Sequence, residues 1–305
     1  MTYIKLGYDP NEKYGWRILK EGECADRHFL GEMYNGKLLV QINAMLWEKV
    51  KNIKKIQVKG FDAPIMIDGK RRTGKSTVEK TIAYLLNPDI SINNFVIGLE
   101  DSADKIENAR ECDPLCFDEA ILMGGSKDAM AKKQKQLSKV IDVAGQKRLC
   151  LIFCMPSFFE MNRTLAVNHS LFLIHIYTDT QLNRGHFAFF GTKKKRLLYE
   201  LGKKNQNSYS KPTSDFTGDF VNFELPFESE YIQLKKLSLR EALNPDQVKK
   251  KDKNLTESDH KTIIMANIKE KSPHITDEQI WTMFGIGKSE FYRRKKRYKE
   301  VFAKK

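Results

Sequence analysis

The stretch Ala63-Pro64-Ile65-Met66-Ile67-Asp68-Gly69-Lys70-Arg71-Arg72-Thr73-Gly74-Lys75-Ser76-Thr77-Val78-Glu79-Lys80-Thr81-Ile82-Ala83-Tyr84-Leu85-Leu86 decides the fold class. Residues 63–68 read as a short buried strand, and residues 78–86 as a helix ending at Asn87-Pro88. Between them lies the pattern GxxxxGK[ST], in the strand-loop-helix context that gives it meaning. Gly69 and Gly74 let the backbone turn tightly with its N–H groups pointing inward, and the helix N-terminus adds partial positive charge there. Lys75 is placed to reach the β- and γ-phosphates of ATP, and the Ser76 hydroxyl to ligate Mg²⁺. Gly69, Arg72, Thr73, Gly74, Lys75, Ser76 and Thr77 are the expected nucleotide contacts. A Gly-containing turn before a basic helix is the plain alternative, and the flanking strand and helix argue against it.

A second strand, Pro114-Leu115-Cys116-Phe117, runs into Asp118-Glu119-Ala120. After a phosphate loop at this distance, Asp118 is expected to act on the metal, directly or through water, and Glu119 to orient and activate the attacking water. The interval is expected to hold a strand at Phe95–Leu99 and a helix over Ser102 to Arg110. A helical stretch from Asp128 to Val143 and an apolar strand from Leu149 to Met155, closed by Pro156-Ser157, follow. This alternation predicts an α/β fold, a P-loop NTPase with a mainly parallel sheet flanked by helices and nucleotide at the carboxyl ends of the strands. Ser157 is the nearest candidate for a γ-phosphate sensor, and a turn-forming Ser after Pro explains it equally well. Arg163 is a candidate arginine finger on a neighbouring subunit's nucleotide. Arg71 and Arg72 compete for that role, and a solvent-facing arginine is the alternative.

Ser170–Tyr177, His186–Phe190 and Arg196–Leu201 read as strands, the last two joined as a hairpin across Gly191-Thr192-Lys193-Lys194-Lys195, whose tip would form a basic patch. His169, His175 and His186 have no ligand spacing and read as structural. Toward the N-terminus, Leu38, Leu39, Ile42, Met45, Leu46, Val50 and Ile53 suggest an amphipathic helix over Lys37 to Ile56. The five cysteines lack zinc spacing and read as small apolar residues in a reducing compartment.

The 305 residues carry 53 Lys and Arg against 39 Asp and Glu, a net charge of +14. That favours a polyanionic partner. The last 57 residues hold 16 of the cations and 8 of the acids, so more than half of the excess sits in the last fifth of the chain. Glu257 to Glu270 is expected to form a helix. Thr276 with Gln279 offers a capping box to a second, and Gly285-Ile286-Gly287 a tight turn into a third. This predicts a small all-α helix-turn-helix domain on double-stranded DNA, with Lys288, Ser289, Tyr292 and Arg293 near base edges and Arg294, Lys296 and Arg297 on phosphates. An ordinary three-helix bundle with a solvated basic face is the alternative. The expected divisions are an N-terminal segment 1–58, a P-loop ATPase domain 59–245, a basic linker 246–256 and a helix-turn-helix domain 257–305. No apolar run is long enough to span a bilayer and no signal core is visible, so a cytoplasmic protein is expected, in the host cytoplasm if viral.

Taken together, the Gly69–Ser76 loop, the Phe117-Asp118-Glu119-Ala120 segment and the strand ending Cys154-Met155-Pro156-Ser157 resemble the additional-strand P-loop ATPases of the HerA/FtsK superfamily. That group includes viral genome-packaging ATPases, conjugation ATPases and the ATPase domain of zonular occludens toxin-like phage proteins. The resemblance covers roughly residues 60 to 180 and rests on motif order. It departs at Cys154-Met155, where the superfamily commonly has a Gln. The resemblance implies an ATP-driven DNA motor of a virus or mobile element, a ring-forming homo-oligomer that translocates DNA for packaging or transfer. Two alternatives stand beside it: a non-translocating ATPase switch such as a helicase loader or transposition helper, and a nucleotide-binding DNA regulator without turnover.

Overall fold

In the computed structural model, the described residues are 3–20, 23, 26–28, 31–96, 102–117, 141–243, 276–283, 287–289, 291–293 and 295. The chain divides into two compact units, residues 1–239 and 240–305.

The first unit opens with six short strands: β1 (Tyr3–Tyr8), β2 (Trp16–Ile18), β3 (Asp26–His28), β4 (Gly31–Tyr34), β5 (Lys37–Leu38) and β6 (Val40–Asn43). They form two antiparallel sheets, ordered β2-β1-β6 and β3-β4-β5. Helix α1 (Ala44–Val58) follows, capped by the Asn43 side chain, which accepts from the amides of Met45 and Leu46. The helix expected from Lys37 therefore begins seven residues later. Leu38, Val40 and Ile42 are all buried and alternate with period two, so the apolar pattern there belongs to strands.

The main sheet has seven strands in the order β13-β12-β11-β7-β10-β9-β8. They are β7 (Ile65–Gly69), β8 (Phe95–Val96), β9 (Pro114–Phe117), β10 (Cys150–Met155), β11 (Leu173–Tyr177), β12 (His186–Phe190) and β13 (Phe216–Asp219). From β8 across to β11 all pairings are parallel, and β12 and β13 extend that edge antiparallel. Strict alternation splits each strand between two cores. Ile65, Ile67, Cys150, Ile152 and Cys154 face one side, and Met66, Leu151, Phe153 and Met155 the other. Burial on both faces is what helices crossing between parallel strands require. Helices α2 (Lys75–Leu86) and α1 cover the first face, and α3 (Ser102–Asn108) supplies Ile106 to the second. Residues 141–146 are helical, as expected for the end of the Asp128–Val143 stretch, whose earlier part lies outside the described residues.

The first core continues without a break from the N-terminal strands into the main sheet. Leu6, Trp16, Val40, Trp47 and Val50 pack in one cluster with Ile65, Val78, Ile82 and Leu85. Trp16 Nε1 donates to the Leu85 carbonyl at 2.8 Å, and the Leu38 amide to the Tyr84 hydroxyl at 2.9 Å. These buried bonds tie the N-terminal strands to the helix that follows the phosphate loop.

The third strand expected at Arg196–Leu201 is instead part of helix α4 (Thr192–Lys204), so the hairpin and its Lys193–Lys195 tip do not form. The buried face of α4 is Lys195, Leu198, Tyr199 and Gly202, a clean helical spacing whose first member is a lysine. A polar residue at a core position hides the period. Lys195 is fully buried, its ammonium bonded to the carbonyl and hydroxyl of Ser170, so it is withdrawn from any surface patch. The antiparallel partners of β12 are β11 and β13, the latter ending at Asp219, which holds the His186 ring at 2.6 Å.

Helix α5 (Glu228–Leu243) closes the first unit and continues past its boundary. In the second unit, helix α6 (Asp277–Met283) starts with the expected reciprocal cap. The Gln279 amide donates to Thr276 Oγ1 at 3.2 Å, and the Thr276 amide to Gln279 Oε1 at 2.8 Å. Residues 288–289, 291–293 and 295 are helical, and the helix expected over Glu257 to Glu270 lies outside the described residues. Among the described residues no helix is long and apolar enough to cross a membrane.

Candidate nucleotide-binding site

The loop between β7 and α2 leaves the carboxyl edge of the parallel sheet, and both glycines of the motif have positive φ: +146° at Gly69 and +109° at Gly74. A Cβ on Gly69 would lie 2.2 Å from the Ile176 carbonyl oxygen of β11, so only glycine fits where the loop presses on the neighbouring strand. Gly74 is the N-cap of α2 and gives no side-chain cap, which leaves the first turn of that helix able to face an anion. Lys75 is buried, with its ammonium folded back onto the carbonyls of Gly69 at 2.6 Å and Lys70 at 2.9 Å. A cation held at the centre of its own loop is placed for a phosphate to take over from those carbonyls. Thr73 is buried and donates to the Lys70 carbonyl at 2.8 Å, bracing the loop. Arg71 and Arg72 are exposed, Arg72 with a φ of 64°. Ser76 and Thr77, half-buried, open α2.

The sheet order places β10 between β7 and β9, so one strand separates the phosphate loop from the strand that runs into the acidic pair. The parallel registers Met155 to Asp68 and Phe153 to Phe117 bring the three carboxyl ends to the same edge. Asp118 and Glu119 themselves lie outside the described residues. An ATP with Mg²⁺ fits the residues present: two glycines at positive φ, an uncapped helix start, a central lysine, and a serine hydroxyl at the second position of α2. The geometry is that of a P-loop NTPase fold.

No family model matches the chain, and no curated protein matches it. Among solved structures, Aquifex aeolicus DnaA bound to AMPPCP overlaps with a TM-score of 0.31 at 15% identity, covering 85% of this chain and 89% of that one. A DnaA bound to AMPPCP and single-stranded DNA overlaps at 0.32 and 11% identity, covering 86% and 90%. A Thermotoga maritima RuvB variant overlaps at 0.34 and 14% identity, covering 83% and 86%. Likeness this loose transfers nothing to the site of this chain.

Two constellations around the loop escaped sequence reasoning. The first is Asp68, the residue before Gly69, which is fully buried. Its carboxylate accepts from the Phe158 amide at 2.9 Å, from the Tyr209 hydroxyl, and pairs with His175 Nδ1 at 2.9 Å. His175 stacks on Tyr209 with centroids 3.7 Å apart, and burial beside Asp68 pushes the Tyr209 hydroxyl well above its usual range. One carboxylate thereby ties the phosphate loop to the tip of β10, where Ser157 precedes Phe158, and to β11. An ionisable residue ending an otherwise apolar strand was the available signal. His175 is structural, as expected, and its task is to hold Asp68.

The second comes from α5. Lys235 Nζ donates to Ser76 Oγ at 2.6 Å, 159 residues away in the chain. Lys80 of α2 pairs with Glu228 at 2.6 Å, and the Tyr231 ring lies between Lys80 and Lys235, 5.4 and 5.0 Å from their ammonium groups. Helix α5 therefore grips α2 and sets a cation on the expected metal-binding hydroxyl. Nothing local in the sequence marks Lys235.

Arg163, the finger candidate, is half exposed at its side chain and pairs with Glu200 of α4 at 2.9 Å. It lies before a π-helical segment, Thr164–His169. In the second unit, Lys288, Ser289, Tyr292 and Arg293 are all exposed, while Phe291 is buried. Arg294, Lys296 and Arg297 lie outside the described residues. The Lys295 ammonium pairs with Asp277 at 2.7 Å.

Proposed function

We infer that this chain is an ATP-hydrolysing, DNA-binding motor of a virus or mobile genetic element, akin to the additional-strand ATPases of the HerA/FtsK superfamily. The observation that carries the reading is the strand order: β10 inserted between the phosphate-loop strand and the strand ending just before Asp118-Glu119. Lys75 binds the β- and γ-phosphates, Thr77 and the loop amides hold the phosphate oxygens, and Glu119 takes a proton from the attacking water at its carboxylate. Ser76 and Asp118 hold Mg²⁺, which when bound neutralises charge on the phosphates. Arg163 acts on the nucleotide of a neighbouring copy after leaving Glu200.

The exposed Lys288, Ser289, Tyr292 and Arg293 support DNA recognition by the C-terminal unit, within the 57 residues that hold more than half of the net charge. A ring-forming homo-oligomer moving double-stranded DNA for packaging or transfer is the assembly that such a motor requires. Triplex displacement separates this from a non-translocating switch. Directional, ATP-dependent displacement of a third strand is expected, and DNA-stimulated ATP turnover without displacement would move the assignment to the switch.

A further inference from the structure

Part of the +6 of charge outside the tail is concentrated on α1 and the residue after it. Between residues 44 and 59, five lysines stand against Glu48 alone. The turn between β1 and β2, residues 9–15, lies over the last turns of α1 and closes a cleft of about 690 Å³. Lys13, Lys54, Lys55 and Lys59 line it together with Tyr8, Tyr14 and a single acid, Glu12.

Three of these cations converge on one residue. Lys54 Nζ donates to the Tyr14 carbonyl at 2.8 Å, and the Lys13 and Lys55 ammonium groups lie 5.7 and 5.8 Å from the Tyr14 ring centroid. Elsewhere on the N-terminal strands and α1, Lys5 pairs with Glu32, Lys37 with Asp89 and Lys51 with Glu48, while Lys49 lies over the Phe189 ring. Among the described residues none of the four cleft lysines is paired with a carboxylate. Like charges gathered in one concavity repel, and an anion relieves that repulsion. Burial lowers the Lys54 amine to about 8, which an anion in the cleft would reverse.

We propose that this cleft binds the phosphodiester backbone of nucleic acid, a contact separate from the one assigned to the C-terminal unit. Lysine ammoniums are point-charge phosphate binders that read no base, and two half-buried tyrosines give the amphipathic wall that a sugar-phosphate chain packs against. The proposal rests on the reading of the protein as a DNA-binding ATPase. It gives the N-terminal segment a task within it: holding the track without regard to sequence.

The test compares the full-length protein with a Lys13→Ala/Lys55→Ala/Lys59→Ala variant. All three side chains are exposed, and Lys54, which braces the turn, is left in place. Binding of a fluorescent random 30-base-pair duplex and of its single strand is followed by anisotropy across a potassium chloride series. The expected result is a fall of about 2 to 3 in the slope of log Kobs against log salt on the duplex and roughly tenfold weaker binding at the lowest salt. Unchanged basal ATP turnover confirms folding, and a Lys55→Glu/Lys59→Glu variant should weaken binding further. A larger loss on the single strand than on the duplex would identify the unpaired strand as the occupant, and the reverse the duplex. Wild-type binding with a slope unchanged in the variant overturns the cleft assignment alone. Cleft-dependent binding of tripolyphosphate with that same unchanged slope overturns it in favour of a small polyanion. Absence of any DNA binding by the wild type overturns both the cleft and the DNA-motor reading.

Discussion

Replacing Asp68 probes the joint between the phosphate loop and the tip of β10. The carboxylate is fully buried and takes three donors: the Phe158 amide, the Tyr209 hydroxyl and His175 Nδ1. In Asp68→Asn the new amide group can turn toward His175, whose ring can present Nδ1 as an acceptor by changing tautomer, so all three contacts survive in neutral form. What is lost is charge assistance, about 1 to 2 kcal/mol. Asp68→Ala removes the buried acceptor from all three partners, two of them half-buried, and the expected loss is about 3 to 5 kcal/mol. Urea unfolding followed by tryptophan fluorescence reads both: Trp16 and Trp47 are buried in the core that α2 shares with the N-terminal strands. Binding of a fluorescent ATP analogue should weaken in the same order, because Gly69 is the next residue. An Asp68→Ala protein within about 0.5 kcal/mol of wild type, the spread of ordinary surface changes, would refute the reasoning.

Gly69→Ala should abolish nucleotide binding and lower the melting temperature, since its Cβ would lie 2.2 Å from the Ile176 carbonyl oxygen; Gly60→Ala, also at positive φ but in open space, should show only the milder strain, about 1 kcal/mol. A calorimetric scan of the pair checks this, and equal effects would contradict it. Lys235→Met removes the ammonium that competes with a metal for Ser76, so the Mg²⁺ concentration for half-maximal nucleotide binding should fall roughly tenfold; an unchanged Mg²⁺ titration would count against that competition. Burial lowers the Lys195 amine to about 7 from its ordinary 10.5. Between those values the unfolded chain binds more protons, so this lysine makes stability rise with pH by up to about 1.4 kcal/mol per unit. Lys195→Met should flatten the urea midpoint against pH over that window, and parallel curves for the two proteins would exclude the effect.

What the sequence made legible follows from how local each signal is. The phosphate loop, its strand and its helix form one continuous stretch, so backbone conformation and chemistry are written side by side, and β7, α2, β9 and β10 lie close to where pattern places them. The N-terminal strands were obscured because Leu38, Val40 and Ile42 alternate immediately before a true helix, and the two periods merge into one apparent run. Helix α4 was hidden because Lys195 occupies a fully buried position on its core face. The contacts of Asp68, Lys235 and Tyr209 cross 90 to 159 residues, and no spacing rule spans such a separation. The distribution of charge was also a structural matter: Lys195 is buried in α4, and Lys13, Lys54, Lys55 and Lys59 gather around one cleft of the N-terminal strands and α1.

The proposed function requires that this site turn over ATP and that DNA stimulate the turnover. Steady-state ATP hydrolysis by the full chain, with and without duplex DNA, tests it most directly when Lys75→Ala and Glu119→Gln are measured beside the wild type. Turnover that DNA stimulates is expected, with each substitution reducing it by roughly 100-fold or more. Turnover that persists in Glu119→Gln, or no turnover by the wild type in either condition, would contradict it.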